Sequence, residues 1–202
     1  MMGHKKGVEA LKGIVKACAK FDIKYLTMYA FSTENWNRKK EEVDFLMDLL
    51  ASTIKNELTE LYENNVKLSF FGNLKQLNQN LQDILTSAEE KTRNNSGVNL
   101  NIAINYGSRD EITNAVKNII SKGYKSDEIT PDVVSNNLYT KDIPDPDLLI
   151  RTSGEKRISN YLLWQIAYSE IYITNKYWPE FDENELKYAI EEFGKRQRRW
   201  GK

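Results

Sequence analysis

The order of apolar and polar residues along the chain sets out the elements. Val8, Leu11, Ile14, Val15 and Cys18 recur at three- and four-residue steps, the spacing of one helix face. The run KYLTMYAF (24–31) then reads as a buried strand. Val43, Leu46, Leu49, Leu50, Ile54, Leu58 and Leu61 mark a long helix over 43–62. VKLSFFG (66–72) predicts a second strand, stopped by Gly72, and 74–93 is helical again. VNLNIAIN (98–105) predicts a third strand and 110–120 a helix. A loop with Pro131, Pro144 and Pro146 surrounds a short helix over 133–138. DLLIR (147–151) predicts a fourth strand, 162–168 a helix, EIYIT (170–174) a fifth strand, and 183–199 a closing helix.

Strands alternating with helices predict an α/β fold with a mostly parallel central sheet wrapped by helices. No repeat, low-complexity tract or linker interrupts the pattern, so residues 1–202 are expected to form a single domain. Ligands of such sheets sit beyond the carboxyl ends of the strands. The four exits considered are STENWNR (32–38), GN (72–73), NYGSR (105–109) and RTSGEKRISN (151–160). Three of the four carry arginine beside polar donors, a pattern that suits an anionic ligand. In the last exit, Arg151, Arg157 and Ser159 offer two guanidinium forks and a hydroxyl, which match phosphate oxygens. Lys156 reads as a solvated neighbour.

Total charge narrows this further. Lys+Arg and Asp+Glu are 29 each, so no global field draws the chain to nucleic acid or an anionic membrane, and anion binding must be local. Cys18 is the single cysteine and His4 the single histidine, which excludes an intrachain disulfide and a cysteine- or histidine-based metal cage. No uninterrupted apolar run of about 18 residues is present. No signal-peptide core follows Lys5 and Lys6, and a cytoplasmic setting is expected.

The segments YAFSTENWNR, NIAINYGSR, LLIRTSGEKRISNYLLWQIAYSEIYIT, WPEF and RRWG, in this order and spacing, resemble the cis-prenyltransferases, in particular the undecaprenyl diphosphate synthase type. The resemblance spans nearly the whole chain. It implies a non-Rossmann α/β fold, a hydrophobic tunnel and a homodimer. It also implies Mg²⁺-dependent condensation of isopentenyl diphosphate onto an allylic diphosphate of the farnesyl type. The product would be a cis-polyprenyl diphosphate for the cell-wall lipid carrier, and this product could associate with a membrane. Members of that family open with a strand that carries a Mg²⁺-associated Asp and a Gly/Arg phosphate loop. This sequence starts at MMGH, so the expectation is an N-terminally truncated chain with the first strand missing, open strand edges and impaired turnover.

The resemblance assigns roles residue by residue. Arg151, Arg157, Ile158 and Ser159 match positions that hold isopentenyl diphosphate. Glu170 matches a Mg²⁺-associated acid, and a hard cation of this kind takes one or two carboxylates besides water and phosphate oxygens. His4 matches a residue after the phosphate loop, at a helix start that suits anions. Ser32, Thr33, Glu34, Trp36 and Arg38 match substrate contacts on a mobile loop. Trp36 caps an apolar tail or packs as core. Asn35 matches the residue assigned proton acceptance; a neutral amide is a poor base, so a positioning role is expected. Arg109 is expected to support the site from behind. Arg199 and Gly201 match a tail that reaches a partner subunit's site. Phe45, Leu46, Leu49, Leu50, Leu85 and Ile102 are expected to line the tunnel or form ordinary core, each buried CH₂ of product contributing ~0.8 kcal/mol. Two rivals stand beside the enzyme: a noncatalytic partner subunit of a prenyltransferase complex, and a general phosphate-ligand module.

Overall fold

The computed structural model describes residues 2–197, with side chains described for 6–197. Among these, contacts divide the chain into two compact units. One comprises Ile23–Pro144 and Ser159–Trp164; the other comprises residues 2–22, Asp145–Ile158 and residues 165–197.

The larger unit is built on three parallel strands in the order β1 (Tyr25–Ser32), β3 (Asn99–Tyr106), β2 (Lys67–Phe71). The middle position of β3 explains its composition. Both edges are hydrogen-bonded, and Leu100 to Tyr106 are all buried. That pattern is the continuous burial of a parallel strand covered on both faces. β1 pairs only with β3 among the described residues, and most of its residues stay half-buried or exposed. Helices α2 (Lys40–Glu63), α3 (Gln79–Thr92), α4 (Ser108–Ser121) and α5 (Pro131–Ser135) complete the unit. Side chains begin α3 and α5: Asn78 Oδ1 accepts from Leu81 N at 2.9 Å, and Thr130 caps a turn with Pro131 at its first position. Asn78 also accounts for a departure from the expected helix over 74–93. The chain makes one 3₁₀ turn at Leu74–Gln76, and Asn78, extended at φ −63° and ψ 151°, restarts the helix.

The smaller unit carries α1 (Met2–Lys20), a parallel pair β4 (Leu148–Arg151) and β5 (Glu170–Ile173), and α6 (Glu183–Gly194). Ile14, Val15, Ala17 and Cys18 of α1 are buried, as are Phe181, Leu186 and Ala189. Burial pushes the Cys18 thiol up to about 12, so it stays protonated at neutral pH. Trp178 Nε1 donates to Gly7 O at 3.0 Å, and Asp182 caps α6 by accepting from Glu185 N.

The expected helix over 162–168 is absent; the segment is a series of turns. Ser159, Asn160 and Leu162 have φ of 55°, 59° and 48°. Left-handed residues cannot propagate a right-handed helix. Within the larger unit, Leu163 N donates to Ser108 Oγ at 3.0 Å and Trp164 Nε1 to Ser135 Oγ at 3.0 Å, so long-range bonds replace the helical ones. The other predicted elements stand, with ends displaced by a few residues. No helix among the described residues is long and apolar enough to cross a membrane.

Candidate functional site

In the larger unit the strand exits are tied together by amide side chains. Asn105 lies at the end of β3 at φ 49°, fully buried. Its Nδ2 donates to Asn73 O at 2.9 Å and to Gln76 Oε1 at 3.2 Å, beyond the end of β2. Its Oδ1 accepts from Trp36 Nε1 at 2.7 Å, beyond the end of β1. A single carboxamide therefore joins three strand exits. Gly72 allows the close approach that this needs: at φ 133°, a Cβ there would stand 2.0 Å from Ile104 O.

The loop after β1 is a 3₁₀ turn over Thr33–Asn37 with Ser32 as its N-cap. Ser32 Oγ accepts from Glu34 N at 3.1 Å, and Asn35 Oδ1 accepts from Ser32 N at 3.0 Å, a reciprocal capping box. This bond engages the Asn35 side-chain carbonyl as an acceptor. Glu34 accepts from the hydroxyls of Ser32 and Thr33 and, at 2.8 Å, from Asn160 Nδ2. Burial pushes the Glu34 carboxyl up, but these bonds outweigh it and hold the group below its usual range. Trp36 packs edge-on against Phe31 while remaining 42% exposed, so it is partly core and partly surface. Arg38 pairs with Glu42 at 2.7 Å. Arg109 is exposed, and its backbone N–H donates to Asn160 Oδ1 at 2.9 Å.

Beside this loop, Trp36, Val43, Asp44, Met47, Asp48, Gln76, Leu77 and Asn78 line a cavity of about 550 Å³. None of the six residues expected along a tunnel lines it. Phe45 is 39% exposed, whereas Leu85 and Ile102 are buried core. The helical face of α2 that borders the cavity is that of Val43 and Met47.

In the smaller unit, Arg151 ends β4, half-buried, and its guanidinium has no hydrogen-bond or ion-pair partner among the described residues. Arg157 is exposed and paired with Glu155, and Lys156 is exposed. Ile158 is half-buried. Ser159, in the larger unit, is exposed at φ 55°. Glu170 opens β5, and its Oε2 accepts from Arg196 Nη1 at 2.6 Å. Among the described residues no group of three or more His, Cys, Asp or Glu is placed to hold a metal. Glu170 is the kind of single carboxylate that a hard cation combines with water and phosphate oxygens. The side chain of His4, and all of Arg199 and Gly201, lie outside the described residues.

Sequence reasoning missed Asn105 and Asn160. Both hold a positive φ that Asn tolerates, a local signal that marks a turn but names no bridging partner.

Comparison with known proteins agrees with the reading of the motifs. Residues 1–201 match the family model described as putative undecaprenyl diphosphate synthase. An isoprenyl transferase of Clostridium acetobutylicum is 50% identical over 208 residues, covering 99% of this chain and 80% of that protein. One from Clostridium tetani is 48% identical, with the same coverage. The crystal structure of lavandulyl diphosphate synthase from Lavandula x intermedia, in complex with dimethylallyl diphosphate, superposes with a TM-score of 0.95 at 35% identity. That match covers 100% of this chain and 89% of that one. A probable undecaprenyl diphosphate synthase from Campylobacter jejuni gives 0.89 at 37% identity, covering 98% and 93%. These similarities do not favour the partner-subunit reading. The chain belongs to the undecaprenyl diphosphate synthase family of prenyltransferases.

Proposed function

We propose that the chain is an isoprenyl transferase that condenses isopentenyl diphosphate onto an allylic diphosphate, forming a cis double bond and lengthening a polyprenyl diphosphate. The observation that carries this reading is Arg151. A half-buried guanidinium without a counter-charge, at the carboxyl end of a parallel strand, is costly unless an anion completes it. Arg157, Ile158 and Ser159 follow in the same segment and are proposed to hold the same head group. Ser32, Thr33, Glu34, Trp36 and Arg38 contact substrate, with Asn35 positioning rather than accepting the proton. The cavity has apolar lining at Trp36, Val43, Met47 and Leu77, which would take hydrocarbon, beside the polar Asp44, Asp48, Gln76 and Asn78.

Magnesium, when bound with the diphosphates, would have Glu170 as its protein ligand and would neutralise phosphate charge; Arg196 competes for that carboxylate. What the residues themselves contribute is positioning and charge stabilisation. We also propose a cytoplasmic homodimer. On β5, Ile171 and Ile173 are 43% and 37% exposed, and Tyr168 before them is 76% exposed, an apolar face suited to a second copy. Equilibrium sedimentation tests that part.

Calorimetric titration with isopentenyl diphosphate tests the central claim without depending on turnover. Arg151→Ala is expected to weaken binding about 10- to 100-fold, the range for a lost charge-assisted hydrogen bond. Unchanged affinity would refute the assignment.

A further inference from the structure

Asn160 lies outside the set of residues that the motif assigns to substrate, yet it joins the loop after β1, proposed to contact substrate, to the first turn of α4. Its side chain uses both ends. Nδ2 donates to Glu34 Oε1 at 2.8 Å, and Oδ1 accepts from Arg109 N at 2.9 Å. Its backbone carbonyl accepts from Ser108 N at 2.8 Å. The loop after β1 and the first turn of α4 are therefore joined through one residue. The carboxamide donates at one end and accepts at the other, and neither Asp nor Leu reproduces this bridge to Glu34.

The surroundings are shaped for it. A Cβ on Gly107 would lie 2.5 Å from Thr33 Oγ1 and 2.8 Å from Asn160 Nδ2, so a glycine leaves the space that the bridge occupies. The next residue, Tyr161, is buried and stacks on Tyr29 with ring centroids 4.5 Å apart, which anchors the backbone on the other side. At φ 59° Asn160 occupies the left-handed region that Asn tolerates better than most residues. The preceding Ser159, one of the residues proposed to take the head group, makes no hydrogen bond through its hydroxyl among the described residues.

We propose that Asn160 is a positioning residue: it latches the 32–37 loop to the start of α4 and so sets the loop and Ser159 for a diphosphate. The ligand part of this inference rests on the function proposed above; the latch itself does not. Two measurements separate them. In the first, NMR follows the Glu34 carboxyl as pH is varied. Its midpoint rises in Asn160→Ala, because a bond that holds it down is removed; an unchanged midpoint overturns the latch.

The second measurement is a double-mutant cycle read as calorimetric affinity for isopentenyl diphosphate. Asn160→Asp keeps the acceptor for Arg109 N–H and tolerates the left-handed backbone, so the fold is retained, as thermal unfolding checks. It sets a carboxylate against Glu34 and is expected to weaken binding at least 10-fold. With Glu34→Gln present, the donor and acceptor are exchanged and Asn160→Asp costs less than 2-fold. Equal cost in the two backgrounds, or no cost in either, overturns the positioning role. If the unaltered protein fails to bind isopentenyl diphosphate, the substrate reading falls and the Glu34 titration alone decides the latch.

Discussion

The loop at 32–38 and the segment at 151–158 both present cations and polar donors at strand ends, but they are built on opposite plans. The loop after β1 is cross-linked before any ligand arrives: Ser32, Asn35, Glu34 and Trp36 all bond within it or to neighbouring strand ends. The segment after β4 has little of this. Arg151 is unpartnered among the described residues, and Arg157 is held only by Glu155, two residues away on the surface. The loop has spent its ordering entropy on folding, while the arginine segment keeps its charges for a ligand. Preorganisation and charge are thus divided between different stretches of chain.

Several substitutions would break or sharpen this contrast. The largest effect is expected from Gly72→Ala, which drives a Cβ into Ile104 O at a backbone angle closed to alanine. It should cost about 3 kcal/mol or more in urea unfolding. Asn105→Ala should cost about 2 kcal/mol, because it removes the bonds from Trp36 Nε1 and to the Asn73 carbonyl and Gln76 Oε1. A matching loss of tryptophan fluorescence change on ligand addition would show that the loop, not the sheet alone, has loosened.

The titration of Glu34 sharpens the contrast from another side. Its folded pKa lies below the unfolded one, so its contribution is complete above the ordinary carboxylate range and fades as pH falls through the depressed value. Trp36 emission should therefore change in acid. The smallest effect belongs to the arginine segment. Glu155→Gln frees Arg157 from an exposed ion pair and should improve isopentenyl diphosphate affinity less than about 3-fold, a gain that vanishes at high salt.

Periodicity made the strands and long helices legible because each buries one face or both. It also located three arginine-bearing exits, and Asn105 and Asn160 draw those after β1 and β3 together. It failed at 162–168, where Leu162, Leu163, Trp164 and Ile166 are apolar at helical spacing but follow residues in left-handed conformations. The failure is physical: hydrophobic spacing reports burial, whereas the turns are set by Ser108 and Ser135, distant in sequence. Asn160 escaped for the same reason, since its partner Glu34 lies 126 residues away. Amide bridges of that span leave no local pattern. Periodicity could not separate tunnel from core, because core and cavity walls have the same composition; Val43 and Met47 border the cavity beside Trp36.

The central place of β3 has a consequence for synthesis. β1 and β2 pair in the described chain only through β3, which begins at Asn99, and Tyr25 meets its partner residue there. As the polypeptide leaves the ribosome, two apolar strands must wait for a third before either can close its ladder. Nascent chains halted short of Asn99 should therefore be claimed by chaperones or aggregate, and release should follow within a few residues of Tyr106.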